Sequence, residues 1–205
     1  MTISPWISVT AVIGFLYASL CEWLLHRYVM HRPLFGFMYP YRQHTHVHHH
    51  VFKADQSYIC TNEKDRKTIP MAWWNWLVLV PLATLLTAPV SLPIGLLFGH
   101  VQAIGITLAS TIAVYYGLYE GLHMLMHLPI RIKKWMHRFV TPFKWLNGHH
   151  LLHHRQMGKN FNVVFPFWDL VLGTLVIRSK TRFKQAIGDL IPDVQPRTPL
   201  ACQPL

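Results

Sequence analysis

The sequence is poor in charge and especially poor in acidic residues. Only 13% of its 205 residues are charged, and 8 Asp and Glu stand against 19 Lys and Arg, while 52% are hydrophobic. A chain this apolar and this poor in charge is typical of a membrane protein. Its length allows one domain. We expect that domain to cover residues 1–195 and to be followed by a disordered tail at 196–205.

Cysteine is also scarce. The three cysteines, Cys21, Cys60 and Cys202, are scattered along the chain and form no CxxC pair. The spacing therefore predicts neither a thiolate metal site nor a disulfide framework. The excess of basic residues would suit an anionic membrane surface, a nucleic acid or an acidic protein partner.

Apolar stretches long enough to cross a bilayer, about 20 residues each, predict the topology. The first runs over about 3–25. The second apolar region, Trp73 to Met126, is too long for one crossing, and Pro89, Ser91 and Pro93 predict a turn within it. This gives spans at about 72–88 and 94–120, the last continuing as helix to about 127. We predict an all-α integral membrane protein with three long transmembrane helices and a cytoplasmic histidine-rich helical region.

The basic residues give this topology an orientation. All 19 lie either between the first and second spans or after the third. Three spans put both regions on one side of the membrane and the N-terminus on the other. The positive-inside rule makes the basic side cytoplasmic. Membrane orientation and an acidic partner then explain the charge, and we predict no nucleic-acid binding.

Histidine is the outlier of the composition, and 14 of the 15 histidines share this predicted cytoplasmic side. Positions i, i+3 and i+4 share one face of a helix, so clustered histidines can close on a metal ion. We predict ten ligands in four clusters: His26 and His31; His46, His49 and His50; His123 and His127; His150, His153 and His154. Ten imidazoles are too many for one ion and about right for two.

The register of these clusters leaves alternatives. In RQHTHVHHH, residues 42–50, His44 and His48 form a competing i, i+4 pair, and His149 competes in the last cluster. We interpret the isolated His100 and His137 as interfacial or surface residues.

Acidic residues near the histidines are candidate partners for them. Glu22 precedes His26 by four residues, and Glu120 precedes His123 by three. A metal-bound imidazole needs a partner for its other nitrogen, so we predict that Glu22 and Glu120 fill that place or are ligands themselves. Asp169 either orients a ligand histidine or pairs with a basic residue.

Imidazole suits zinc, copper, iron and nickel, so ligand type alone does not select the metal. The histidine clusters form four motifs whose order resembles the fatty acid hydroxylase and sterol desaturase superfamily of membrane di-iron oxygenases. The motifs are HX4H (26–31), HX2HH (46–50), HX3H (123–127) and HX2HH (150–154). The stretch NFNVVFPFWDLVLGT, residues 160–174, resembles the C-terminal signature of that superfamily. The matching residues are Asn160, Phe161, Pro166, Phe167, Trp168, Asp169, Gly173 and Thr174.

The resemblance implies a function. Two iron ions held by the histidine clusters would use O₂ to hydroxylate an unactivated C–H bond of a lipid, with electrons from a separate ferredoxin- or cytochrome b5-like protein. Zinc stands above Fe²⁺ in affinity order, so purified protein could carry zinc. Phe167 and Trp168 are candidates for lining the substrate entrance, with ordinary helix packing as the alternative.

Other functions remain open from the sequence. Within the superfamily, lipid or sterol desaturation and carotenoid ring hydroxylation are alternatives. A membrane metal transporter would place ligands at mid-membrane depth. A zinc hydrolase would need an open metal position and a general base, but far fewer histidines. The basic and aromatic stretch at 130–140 predicts an interfacial amphipathic helix.

Overall fold

The computed structural model describes residues 5–129 and 141–177. Within these ranges the chain is helical and has no β-strand, which confirms the all-α prediction for the described residues. The predicted interfacial helix at 130–140, His137 and the tail at 196–205 lie outside the described residues, and they stay predictions.

The first span ends in a local change of helix type. Helix α1 (Pro5–Leu25) corresponds to the predicted first span and continues as a π-helical turn over His26–Met30. A second π-helix, Arg42–His48, links α2 (Tyr39–Tyr41) to α3 (His49–Val51). The π-helix repeats at i+5 rather than i+4, and such turns are frequent at functional sites. Both π-helical segments carry histidines.

A bent pair of helices follows the histidine tract. After a short helix α4 (Glu63–Arg66), the chain forms α5 (Asn75–Leu86) and α6 (Ala88–Phe98), which meet at an angle of 59°. The predicted turn at 89–93 is therefore wrong. Pro89 lies in the first turn of α6, where a proline removes only an N–H that has no helical partner.

The reversal comes instead at Gly99, which has a left-handed φ of 69° suited to glycine. Close beside it, a Cβ atom on Gly95 would lie 2.7 Å from the Cα of Val101, so glycine lets α6 approach the next helix. That helix, α7, runs over Val101–His127. The expected continuation of this helix to about residue 127 is confirmed. The helix starts seven residues later than predicted, at Val101 rather than at about 94, because the turn before it lies later in the chain.

In the part of the chain that the structure describes, two helices are long and apolar enough to cross a membrane, Pro5–Met30 and Val101–His127, and α5 with α6 makes a third if the bent pair is one span. Helix α7 packs against α1 and against both helices of the bent pair. The ring of Trp6 contacts Phe98 at 4.3 Å, so α6 ends beside the start of α1. The histidine segments gather at the opposite end of the helices.

Two short helices complete that end. Helix α8 (Thr141–Arg155) is almost wholly buried over Asn147–His154, and α9 (Phe167–Val171) packs against α1. An apolar cluster of Tyr119, Met126, Phe143 and Val163 joins α7 to α8 beneath the histidines. The histidines therefore lie on a packed support rather than in an exposed loop.

Candidate metal centre

Ten histidines form two compact groups. The first, site A, consists of His26, His31, His44, His49 and His153. Neighbouring Nε2 atoms in site A lie 2.9 to 3.2 Å apart, for example 2.9 Å between His26 and His44 and 3.2 Å between His153 and His49. All five rings thus point one nitrogen at a common centre.

Site B has the same design. It consists of His48, His123, His127, His150 and His154, all of them buried. Its Nε2 atoms are separated by 3.0 Å between His154 and His150 and by 3.2 Å between His127 and His150. Sites A and B are adjacent, because the consecutive residues His48 and His49 belong to different sites.

The π-helix explains how one tract serves both sites. The backbone N–H of His49 donates to the carbonyl of His44, an i+5 bond that places these two side chains on one face. His26 and His31, also five residues apart, are brought together in the same way by the first π-helical turn, with ring centroids 5.1 Å apart.

The predicted face of His46, His49 and His50 is therefore corrected. It assumed the α-helical period, whereas the π-helix turns His44, His48 and His49 inward. His46 and His50 are exposed and belong to neither site. The competing pair His44 and His48 takes their place. The sequence carried a signal for this register, because His44 precedes His48 by four residues and His49 by five. The other eight predicted ligands all lie in site A or site B.

The tautomer of several histidines is set by the hydrogen-bond partner of their second ring nitrogen. Backbone carbonyl oxygens lie next to the Nδ1 atoms of four of them: Phe161 beside His26, Tyr58 beside His127, Lys159 beside His153 and Phe52 beside His154. A carbonyl oxygen can only accept, so each Nδ1 must carry the proton. Each Nε2 then has a lone pair and no hydrogen.

This arrangement fits a metal ion. Nε2 lone pairs that face one another at about 3 Å cannot hydrogen-bond to each other, and a cation between them removes their repulsion. Five nitrogens per site exceed the four of a structural zinc site. Neighbouring Nε2 atoms, 2.9 to 3.3 Å apart in the two groups, are close enough to share one ion.

A buried loop supports site A. Asp169 accepts hydrogen bonds from the backbone N–H groups of Phe161 and Asn162, both at 2.8 Å, and from Thr174 Oγ1 at 2.7 Å. The carbonyl of Phe161 is thereby held against His26. Asp169 thus orients a ligand-site histidine through the backbone, while its direct imidazole partner is His149, at 3.2 Å. Burial raises the pKa of Asp169, but the bonds from His149 and Thr174 outweigh it and lower the pKa.

The sequence profile of the fatty acid hydroxylase family matches residues 11–174, most of the chain. The chain belongs to the fatty acid hydroxylase family. The matched region contains both sites and the loop from Asn160 to Thr174. No curated protein and no solved structure gives a match to the chain.

Neither of the two glutamates predicted as partners of the histidines, Glu22 and Glu120, has a described hydrogen bond to a site histidine. Glu22 accepts from Tyr115 Oη at 2.5 Å, from Asn162 Nδ2 at 3.1 Å and from the N–H of Val163 at 2.5 Å. It therefore ties α1 to α7 and to the loop supporting site A. Glu120 accepts from Tyr116 at 3.0 Å. The structure places both outside the ligand groups, because each points to a tyrosine on α7.

The remaining predicted residues pack around the centre. The indole of Trp168 donates to the carbonyl of Leu16 at 2.9 Å, which fixes α9 on α1, and the ring of Phe167 stacks near Phe165. These contacts correspond to the packing alternative for the two aromatic residues. His149, the competitor in the last cluster, is buried but bonded to Asp169 rather than pointed into a site. His100 is exposed at the start of α7.

Without metal, the centre should make stability depend on pH. Burial and the neighbouring His153 lower the pKa of His31 to about 2, and burial lowers the pKa of His153 to about 4. Between pH 6.5 and pH 4 the unfolded chain binds a proton at each of these histidines while the folded chain does not. The free energy of unfolding of the metal-free protein should therefore fall by about 3 kcal/mol for His153 alone as the pH drops from 6.5 to 4.

Thermal unfolding of chelator-treated protein in detergent measures this effect. We expect a continuous loss of stability below pH 6.5 and no loss from these groups between pH 7 and pH 8. Equal unfolding temperatures at pH 7 and pH 4.5 would contradict a buried neutral cluster.

Proposed function

We propose that the chain is a membrane-bound di-iron oxygenase that hydroxylates an unactivated C–H bond of a lipid. The observation that carries the proposal is the pair of five-histidine groups at one end of apolar helices, in a member of the fatty acid hydroxylase family. The alternatives from the sequence gain less support. A transporter would need ligands along the spans, and ten converging histidines exceed what a zinc hydrolase uses.

Site A would hold one iron ion and site B the other. Bound iron would supply the activation of O₂ and the removal of hydrogen from the substrate. The five donors per site suit an ion of higher coordination number than the four of a structural zinc site, which supports iron. The protein contributes neutral imidazoles fixed by backbone carbonyls and a buried support that excludes water.

The overall reaction consumes one O₂, two electrons and two protons for each hydroxyl formed. One oxygen atom enters the C–H bond, and the other leaves as water. An external protein must supply the electrons. Exposed basic residues surround the sites, among them Arg32, Arg42, Lys53 and Arg155. They suit an acidic ferredoxin- or cytochrome b5-like donor.

We also propose that this end of the molecule faces the cytoplasm, because every lysine and arginine of the sequence falls on the histidine side if the bent pair is one span. Protease treatment of inside-out membrane vesicles tests the orientation. A tag at the N-terminus should be protected, and cleavage of the tag would contradict it.

Labelling with ¹⁸O₂ tests the proposed reaction. Cells that express the chain should contain a lipid with one new ¹⁸O hydroxyl group, and membranes should form it only when a reduced donor is added. Mass spectrometry of extracted lipids gives the readout. A new double bond without label would indicate the desaturase alternative. No change in any lipid, with two irons bound per chain, would contradict oxygenase function.

A further inference from the structure

We propose that the tip of the loop from Asn160 to Thr174, residues 164–168, is a re-entrant element that inserts among the lipid acyl chains of the leaflet on the histidine side. The loop leaves the histidines, runs back along α1 toward the middle of that helix and then returns. Its base supports site A, and its tip lies beside a different part of α1. The inference goes beyond the proposed reaction, since it requires only that α1 crosses the membrane.

The two ends of α1 mark the depth of the membrane. Trp6 lies in the first turn of α1, and Arg27 lies in the π-helical turn that continues it. Tryptophan and arginine are typical of the membrane interface, where a ring or a charge reaches the headgroups. The two residues are about 32 Å apart along the helix, close to a hydrocarbon core of about 30 Å. Leu16 therefore lies near the middle of the bilayer.

Three contacts place the tip of the loop beside the middle of α1. The indole of Trp168 donates to the carbonyl of Leu16 at 2.9 Å. The hydroxyl of Ser19 donates to the carbonyl of Phe165 at 2.8 Å, and the rings of Phe165 and Phe15 lie 5.6 Å apart. The bond from Ser19 fixes a backbone atom of the tip about 12 Å along the helix axis from the charged end of α1. The tip therefore lies well inside the hydrocarbon of that leaflet.

The exposed surface of the loop is apolar. Its polar side chains are all buried, and they are those of Asn160, Asn162, Asp169 and Thr174. The large side chains that are 37% to 64% exposed are those of Phe165, Phe167, Leu170, Val171 and Leu172. An exposed apolar patch of this kind marks an interaction surface. Acyl chains can cover it without desolvating a polar side chain.

The backbone of the loop meets the main requirement for chain inside a membrane. Hydrocarbon offers no hydrogen-bond partner, so irregular backbone at this depth needs partners from the protein. The carbonyl of Phe165 accepts from Ser19 and from the N–H of Phe167, both at 2.8 Å. The N–H of Val163 donates to Glu22 at 2.5 Å. The loop thus explains why α1 carries these two polar side chains within its span, where polar groups are costly without a partner.

Lipid is the neighbour that the tip meets at this depth. Helix α1 has exposed apolar side chains above and below the contact along its axis, at Val12 and Leu24, which are 60% and 42% exposed. These side chains face acyl chains when α1 crosses the bilayer. The tip continues the same surface, so the acyl chains that surround α1 also cover the tip.

Spin labels in phosphatidylcholine vesicles test this assignment. Single labelling sites are introduced as Phe167→Cys, Val12→Cys and Met157→Cys in a chain whose own thiols are removed by Cys21→Ala, Cys60→Ala and Cys202→Ala. Position 12 is the reference for hydrocarbon. Position 157, which is 46% exposed in the turn after α8, is the reference for water. Molecular oxygen concentrates in hydrocarbon and nickel ethylenediaminediacetate in water, so the ratio of their collision rates with the nitroxide reports its depth.

We expect the oxygen-to-nickel ratio at position 167 to match that at position 12 within about twofold and to exceed that at position 157 by about tenfold or more, because the polar nickel complex is excluded from hydrocarbon. A ratio equal to that at position 157 would place the tip in water and overturn the proposal. Low collision rates with both reagents would show that protein, such as a second copy of the chain, covers the tip, and would overturn lipid as its partner.

Discussion

The His49→Ala variant will lose turnover by at least about a hundredfold, whereas His50→Ala will keep it. Loss of a partner that only supports a ligand already costs 10–100-fold, roughly, so loss of the ligand itself should exceed that range. His49 Nε2 lies 3.1 Å from His44 Nε2 and 3.2 Å from His153 Nε2, at the centre of site A. His50 is exposed.

The adjacent residues make a matched pair, since both substitutions remove one imidazole from the same tract. The metal content per chain, measured by elemental analysis, should fall from about two toward one in His49→Ala and stay at about two in His50→Ala. His48→Ala against His46→Ala repeats the comparison for site B. Equal losses within either pair would restore the α-helical register of the tract and remove the π-helical interpretation.

The Asp169→Asn variant will lose metal from site A in preference to site B. The carboxylate accepts from two backbone N–H groups, Thr174 and His149, and an amide cannot accept all four bonds. The loop that it organises also places carbonyls on two site A histidines, Phe161 on His26 and Lys159 on His153. Affinity at site A should fall by 10–100-fold, roughly.

Stability should fall too, by about 3 kcal/mol, because the change breaks a buried charged network. Glu63→Gln is the control, since it removes one negative charge from an exposed ion pair with Arg66 and should cost under about 1 kcal/mol. Site B takes its carbonyls from Phe52 and Tyr58, in another segment. An equal loss of both metals in Asp169→Asn would show that the loop supports the whole fold rather than site A.

The histidine tract shows where prediction from sequence reached its limit. Spacing alone predicted a metal centre for two ions, and it named eight of the ten histidines that the structure groups together. It gave the wrong register for His46 and His50, because an α-helix was assumed where the backbone adopts the i+5 period. The predicted position of the turn between the second and third spans was wrong for a similar reason. Prolines at 89 and 93 are compatible with a helix start and a bent helix, and Gly99 supplies the reversal.

The sequence by itself determined the class of the protein: helical, apolar enough to cross a membrane, rich in imidazole, and a member of the fatty acid hydroxylase family. These properties depend on composition and on neighbours along the chain, and they persist whatever the fold. The tertiary structure alone decided which histidines share a site and which backbone carbonyls fix their tautomers. Those choices depend on contacts between residues as distant as His26 and Phe161, and no local pattern specifies such contacts.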